Sequence, residues 1–415
     1  MKHSEKVFVM GKSNIEATVK YIVERITYII KNIGPRAPGS AQELKAQKLM
    51  AQELKKWSDE VDIEGFTVNR QAFMGFIPFT VASAVISVFL YWMYMPLKAF
   101  GVTLLGIIPL LFEFGMYKQF CDPLFKGHPS HNVTAVRKPR EEVKKRIYFV
   151  AHADSQYEWL LNYKLGGVGM KLILIPAVVG LFVTSGANFV MWVVSRTINP
   201  NAIDMLFFRI VGIILIAFIP FFIAFLFFQS YTKSVPGAND NLSGCLCCMS
   251  VLKSLEEAGI RFENTEVRVL LTGSEEAGLR GAKAYIKAHL EELKEKETVV
   301  IAVDTIRDID DMAIYDRDLS GTVKHDKQVK ELLKEAAKNC GMDLPYSSVY
   351  IGSTDAAAFT QAKIKATGFA AMDPTPPRYY HTRLDDVDML VPEALKAGVQ
   401  ILVETACLYD EKGLK

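Results

Sequence analysis

The 415-residue sequence has no internal repeat, no low-complexity tract and little net charge. A formal charge of +2 removes the electrostatic footprint that a nucleic-acid partner needs. Cysteine is scarce too. Cys121, Cys245, Cys247, Cys248, Cys340 and Cys407 form neither a paired framework nor a CxxC metal spacing. Three of them fall within four residues, on what reads as a buried helix, so they are packing residues and favour a reducing compartment. The first thirty residues break every apolar run with charges, which argues against a signal peptide.

The most informative absence is of charge over four long stretches. Residues 71–97 carry none, and 99–117 carry only Glu113; 172–195 and 210–232 are again uncharged. About 20 apolar residues cross the hydrocarbon core of a bilayer, so each stretch is long enough to span one. Tyr91, Trp92, Tyr94 and Trp192 lie near segment ends, as interfacial aromatics do. Glu113, one turn from Lys118, reads as an interfacial residue. The spans form two hairpins, one closed around Lys98 and the other by Arg196 to Arg209. Residues 1–70, 118–167 and 233–415 then emerge on one side as a single domain interrupted twice, leaving 71–117 and 168–232 as membrane hairpins. Arg70, Lys118, Lys164, Lys171 and Lys233 on the domain side outnumber Lys98, Arg196 and Arg209 in the short loops, placing the domain at the cytoplasmic face.

The polar pieces alternate between strand and helix patterns. Amphipathic helices are expected over 13–34, ending at Gly34 before Pro35, and over 42–57, 245–259, 278–296, 327–341 and 392–411. Short apolar runs in "VDIEGFTVNRQ", "HNVTAVRK", "RIYFVAHAD", "TEVRVLLTG", "TVVIAVD" and "ATGFAAMD" are expected strands. This predicts an α/β fold with a mixed sheet sandwiched by helices, and four transmembrane helices inserted as two hairpins.

Polar residues gather where the strands end. "YFVAHAD" delivers His152 and Asp154, "GANDN" Asp240, "LLTGSEE" Glu275 and Glu276, "IAVD" Asp304 and "YYHTRLDD" His381. Ligands of open α/β sheets bind outside the carboxyl ends of strands, so these segments can converge. Two histidines with several carboxylates suit a borderline divalent metal, zinc before others. A metal also explains why two adjacent glutamates are tolerated: one binds it and the other stays free as a base.

With these residues in place, the chain resembles the di-zinc exopeptidases of the aminopeptidase Y and glutamate carboxypeptidase family. The resemblance rests on "GPRAPGS" at 34–40, "HAD", "GANDNLSG", "GSEEAGLRGA", "VD" at 303–304 and "HTRLDD" at 381–386, in family order. It implies the phosphorylase/hydrolase-like zinc exopeptidase fold and two Zn2+ per chain. Asp240 would bridge them, His152 and Asp304 completing one site and Glu276 and His381 the other. Glu275 would be the general base acting on the metal-bridging water, and Asp154 the carboxylate that orients His152. Tyr380, Ser353 and Asp355 are weaker candidates for substrate binding. The implied activity is that of a membrane-integral aminopeptidase acting on peptides, including apolar ones that reach the site along the lipid bilayer. A carboxypeptidase, a glutaminyl-cyclase-like enzyme and a noncatalytic scaffold are the alternatives. The sequence departs from the family in its two apolar insertions and in lacking a histidine after Asp355. No arginine patch for an acidic side chain is evident, which tilts the reading away from a carboxypeptidase.

Overall fold

The computed structural model describes residues 7–8, 14–349 and 352–414. The chain divides into two compact units, one of residues 1–70, 127–157 and 233–415, the other of residues 71–126 and 158–232.

The first unit is an α/β sandwich, and its elements are numbered here in chain order. Helix α1 (Ile15–Asn32) starts at Asn14, whose side chain accepts the Glu16 N–H at 2.9 Å, and buries Val19, Ile22, Ile26 and Ile29 at helical spacing. It is followed by α2 (Ala41–Leu54), β1 (Glu60–Val68), β2 (His128–Arg137), β3 (Lys145–His152), α3 (Gly244–Glu257) and β4 (Thr265–Thr272). Then come α4 (Arg280–Glu295), β5 (Glu297–Ile306), β6 (Met312–Asp318), β7 (Val323–Lys324) and α5 (Lys327–Asn339). The chain closes with β8 (Tyr346–Ser348), α6 (Asp355–Gln361), β9 (Lys365–Ala371) and α7 (Pro392–Lys412).

The strands form one mixed sheet in the order β1-β2-β4-β3-β5-β9-β6-β7, with β8 pairing β6. Its centre, β4-β3-β5-β9, is parallel, while β1 and β2 run antiparallel to their neighbours and β6 runs antiparallel to β9 and β7 but parallel to β8. Strands buried on both faces read as near-continuous apolar runs, as β3, β4 and β5 do. Alternation sorts the side chains: Ile147, Phe149, Val267, Val269, Val299 and Ile301 join the core that includes residues of α1, α3, α5 and α7. On the other face Tyr148 meets Tyr285 of α4 edge to face, with ring centroids 6.2 Å apart. Register then places the site. His152 pairs with Thr272 at the carboxyl ends of β3 and β4, and Val150 with Ala302 two residues short of Asp304. The three segments therefore release their polar residues along one edge.

The second unit is helical. Four of its helices, Ala72–Trp92, Pro96–Gly115, Leu160–Thr197 and Leu206–Phe225, are long and apolar enough to cross a membrane. The first contains a break near Phe76, and the second ends in a π-helical turn, Leu110–Gly115. The third runs twelve residues further toward the N-terminus than the charge-free stretch at 172, because Lys164 and Lys171 sit on the helix without ending it. Its bend falls at Gly166, whose φ of +71 departs from helical geometry. Small residues allow close approach: Thr80 donates to the Gly106 carbonyl at 3.1 Å, and Gly180 lies against Phe218. Buried polar groups bond across helices, Ser87 with Thr103 at 2.5 Å and Asn188 Nδ2 to Ser87 Oγ at 3.2 Å. Phe79, Phe89, Leu105, Leu172, Leu206, Phe207 and Ile213 are each more than 60% exposed.

Candidate active site

The site is built at the carboxyl edge of the parallel strands. His152 ends β3, Asp304 lies near the end of β5, and Glu275 and Glu276 occupy a tight turn after β4. Asp240 comes from the irregular turn Ala238–Ser243 before α3, with a cis Asp240–Asn241 peptide, and His381 from the segment before α7. Residues from five separate stretches thus meet in the first unit.

Asp240 stands at the centre. His152 Nε2 is 3.2 Å from Asp240 Oδ1, while His381 Nε2 is 2.8 Å from Oδ2, so the two carboxylate oxygens serve two different histidines. His152 Nε2 also lies 3.7 Å from Asp304 Oδ1 and 3.9 Å from Glu275 Oε2. His381 Nε2 lies 3.2 Å from Glu276 Oε1. Ligand atoms of His152, Asp240 and Asp304 fall within 4.8 Å of one another, as do those of Asp240, Glu276 and His381. These two triads share Asp240, and ligand atoms of His152, Glu275 and Glu276 also fall within 4.8 Å of one another. Among the described residues, buried Asp240 Oδ2 and Glu276 Oε1 have no donor other than the one histidine nitrogen between them. Nitrogen and carboxylate donors converging in this way fit zinc in both number and chemistry.

Burial sets the electrostatics. It works against protonation of His152, but Glu275 and the carboxylates of Asp154, Asp240 and Asp304 outweigh it and push the imidazole well above its usual range. His381 behaves alike: burial opposes its charge, and Glu276 and Asp240 push it up to about 10. Burial raises Glu275 well above the carboxylate range and Glu276 to about 7. Asp240 goes the other way, because His381 and His152 outweigh its burial and hold it below that range. So much enclosed negative charge demands cations nearby.

Several side chains hold this arrangement in place. Asp154 Oδ1 lies 3.5 Å from His152 Nδ1, and its two oxygens accept the Glu275 and Glu276 N–H groups at 3.1 Å each. Arg36 is fully buried and donates to the carbonyls of Ala153 (2.8 Å), Pro236 (2.7 Å) and Gly237 (2.9 Å). It thereby joins the loop after His152 to the loop before Asp240. Gly237 has φ +64, and a Cβ there would sit 2.7 Å from the Ser155 Cβ and 2.5 Å from the Asp240 carbonyl. Asp385 accepts from Asn239 and from the Asp240 N–H at 3.0 Å. Glu43, also fully buried, accepts from the N–H and hydroxyl of Ser274, from Ser130 Oγ and from the Gly39 N–H. Ser274 has the left-handed φ of +53, so Glu43 steadies a strained turn just ahead of the glutamate pair.

Tyr380 stacks on His381, with centroids 3.7 Å apart and planes at 22°. Asp355 is enclosed, accepting from Thr272 Oγ1 at 2.6 Å, and burial pushes it up to about 7. Ser353 is half-buried, and neither residue belongs to the His–carboxylate triads. Arg36 and Asp385 lie inside sequence motifs noted above but were given no role. Glu43 was visible only as the fourth residue of a Ser-x-x-Glu helix start at Ser40.

Comparison with known proteins places similar sequences and folds among peptidases. Residues 227–406 match the model of peptidase family M28. Aminopeptidase YwaD of Bacillus subtilis (strain 168) is 29% identical over 181 residues, 42% of this chain and 38% of that protein. The match therefore spans well under half of that relative's length. Among solved structures, a zinc aminopeptidase from Bacillus subtilis aligns with a TM-score of 0.56 at 18% identity, covering 95% of each chain. An aminopeptidase from Aneurinibacillus sp. strain AM-1 gives 0.57 at 15% identity, covering 98% of this chain and 95% of that one. A glutaminyl cyclase from Bacteroides thetaiotaomicron gives 0.53 at 14%, covering 94% and 97%. These structural likenesses concern the fold. The resemblance read from the sequence is borne out as a similarity: the stretch that matches the peptidase M28 model contains Asp240, Glu275, Glu276, Asp304 and His381 and begins after His152 and Asp154.

Proposed function

We propose that the protein is a membrane-integral di-zinc aminopeptidase that removes residues from the N-terminus of peptides. The observation that carries this reading is the division of Asp240, one oxygen toward His152 and the other toward His381. His152, Asp240 and Asp304 would hold one ion, and Asp240, Glu276 and His381 the other. Zinc, when bound, supplies Lewis acidity, lowering the pKa of water and polarising a carbonyl.

The remaining work falls to the chain's own groups. Glu275 is enclosed and fixed at its backbone by Asp154, and burial raises its pKa. A carboxylate with that affinity for protons takes one from the attacking water and returns it to the leaving amine. Asp154 keeps the His152 ring oriented through Nδ1. Tyr380, held against His381, is assigned to the tetrahedral intermediate, and Ser353 and Asp355 to the wall around the substrate. The cyclase alternative needs one ion, and the second triad around His381 favours two.

The four apolar helices serve as membrane spans with the catalytic unit on the cytoplasmic side. None of the six cysteines is in a disulfide, which suits a reducing compartment. A lipid location would also concentrate apolar peptides, at about 0.8 kcal/mol per buried methylene. Purified protein should release amino acids from amino-acid amides and dipeptides, lose this activity to a chelator, and regain it with zinc. Extraction should require detergent. Hydrolysis from the carboxyl end, or cyclisation of N-terminal glutamine without hydrolysis, would replace the aminopeptidase reading.

A further inference from the structure

Two adjacent glutamates need something that keeps their roles apart. The backbone does not do it, since both N–H groups donate to the one carboxylate of Asp154 at equal distance. The side chains differ. Glu276 Oε2 accepts from Gln156 Nε2 at 2.7 Å, whereas Glu275 turns Oε2 toward His152. Gln156 is buried, and its Oε1 accepts the Tyr157 N–H at 2.7 Å, which fixes the end of the amide that carries the donor. With Oε2 occupied, Glu276 offers a single oxygen, Oε1, on the side of His381.

The geometry points to Gln156 as a positioning residue that makes Glu276 a one-oxygen ligand and so sets the metal affinity of the half-site formed by Asp240, Glu276 and His381. The inference rests on the two-metal reading above and deepens it. A carboxylate with one oxygen held by a buried amide is biased toward coordination through the other, and its rotamer is fixed before any ion arrives. Without the amide, Glu276 is free to rotate, to bind through both oxygens, or to turn away. Groups that hold a ligand in this manner are worth 10- to 100-fold in metal affinity. Gln156 also reaches across 120 positions of sequence, so it ties the loop after β3 to the turn after β4.

The test is zinc titration against a competing chelator in the intact, detergent-solubilised protein, comparing wild type, Gln156→Met, Glu276→Gln and the double variant. Methionine keeps the volume of glutamine but has no donor. Gln156→Met should weaken one of two ions by roughly 10- to 100-fold and leave the other as in wild type. In the Glu276→Gln background the residual affinity of that same half-site, read at higher zinc, should not fall further, because the action of Gln156 passes through Glu276. With cobalt in place of zinc, Gln156→Met should also alter the d–d absorption of the weakened site, as its coordination number changes. Equal weakening of both sites, or an undiminished effect in the Glu276→Gln background, overturns the role of Gln156. Wild-type protein that takes up fewer than two ions overturns the two-metal reading, and this inference with it.

Discussion

Replacing Arg36 by methionine probes how the site is held together. The guanidinium donates to three buried carbonyls, those of Ala153, Pro236 and Gly237, and methionine leaves all three without that partner. Each charge-assisted bond is worth about 1.5–3 kcal/mol, so the gross loss is roughly 4–9 kcal/mol. Against this stands relief from enclosing a charge. Burial pulls the Arg36 pKa down to about 10, a shift that corresponds to roughly 3 kcal/mol. The difference centres near 3 kcal/mol, similar to the cost of removing one partner from other buried charged pairs. At roughly 2–4 °C per kcal/mol for a unit of this size, the thermal midpoint of the α/β unit should fall by about 6–12 °C. Zinc retention should fall with it, because the loops of His152 and Asp240 are the ones released. Arg36→Lys should recover only part of both losses, since an ammonium cannot reproduce the fork. Thermal unfolding in detergent, paired with metal analysis, reads the two effects. An Arg36→Met protein that melts within about 2 °C of wild type and keeps its metal would show that the loops are held by other contacts.

Glu275→Gln should keep both ions and lower kcat by roughly 100- to 10,000-fold, whereas Glu276→Gln should lose one ion; metal analysis beside steady-state kinetics distinguishes them, and equal metal loss would refute the division of roles. Burial, reinforced by Asp154, pushes Glu43 up to about 8 from an ordinary value of 4.5. The folded state therefore binds the extra proton between these values, and the stability it confers is full below about pH 4.5 and lost as pH rises through 8, with a slope of at most about 1.4 kcal/mol per unit. The thermal midpoint of wild type should accordingly fall relative to Glu43→Gln from pH 5 to pH 8, and parallel curves would rule this out. Protease added to intact cells should leave residues 233–415 uncut until the membrane is permeabilised, and cleavage before that would reverse the proposed orientation.

The central strands were legible because β3, β4 and β5 are apolar runs ending in polar residues, and the ligand candidates because those residues mark the strand ends. The strands beyond β9 were not. β6, β7 and β8 are short, and "MAIYDRD" mixes charge with apolar residues, so no period emerges. The helix Asp355–Gln361 has only seven residues, too few to display a face. Gln156 and Glu43 escaped notice for a different reason. The partners that matter lie 120 and 231 residues away; nothing local distinguishes Gln156 from a surface glutamine, and the helix start at Ser40 marks Glu43 only as a cap. Lys164 and Lys171 misled in the opposite sense, marking an end to the third apolar helix where the backbone continues.

The claim on which the rest depends is that Asp240 joins two metal positions. Metal analysis of the purified wild-type chain, with the released amine from an amino-acid amide followed as ions are added back to chelator-treated protein, tests it directly. The account predicts two zinc ions per chain, one fewer in His381→Ala, and aminopeptidase activity that returns only as the second ion is bound. Full activity with a single ion, or a chain that binds none, would contradict it.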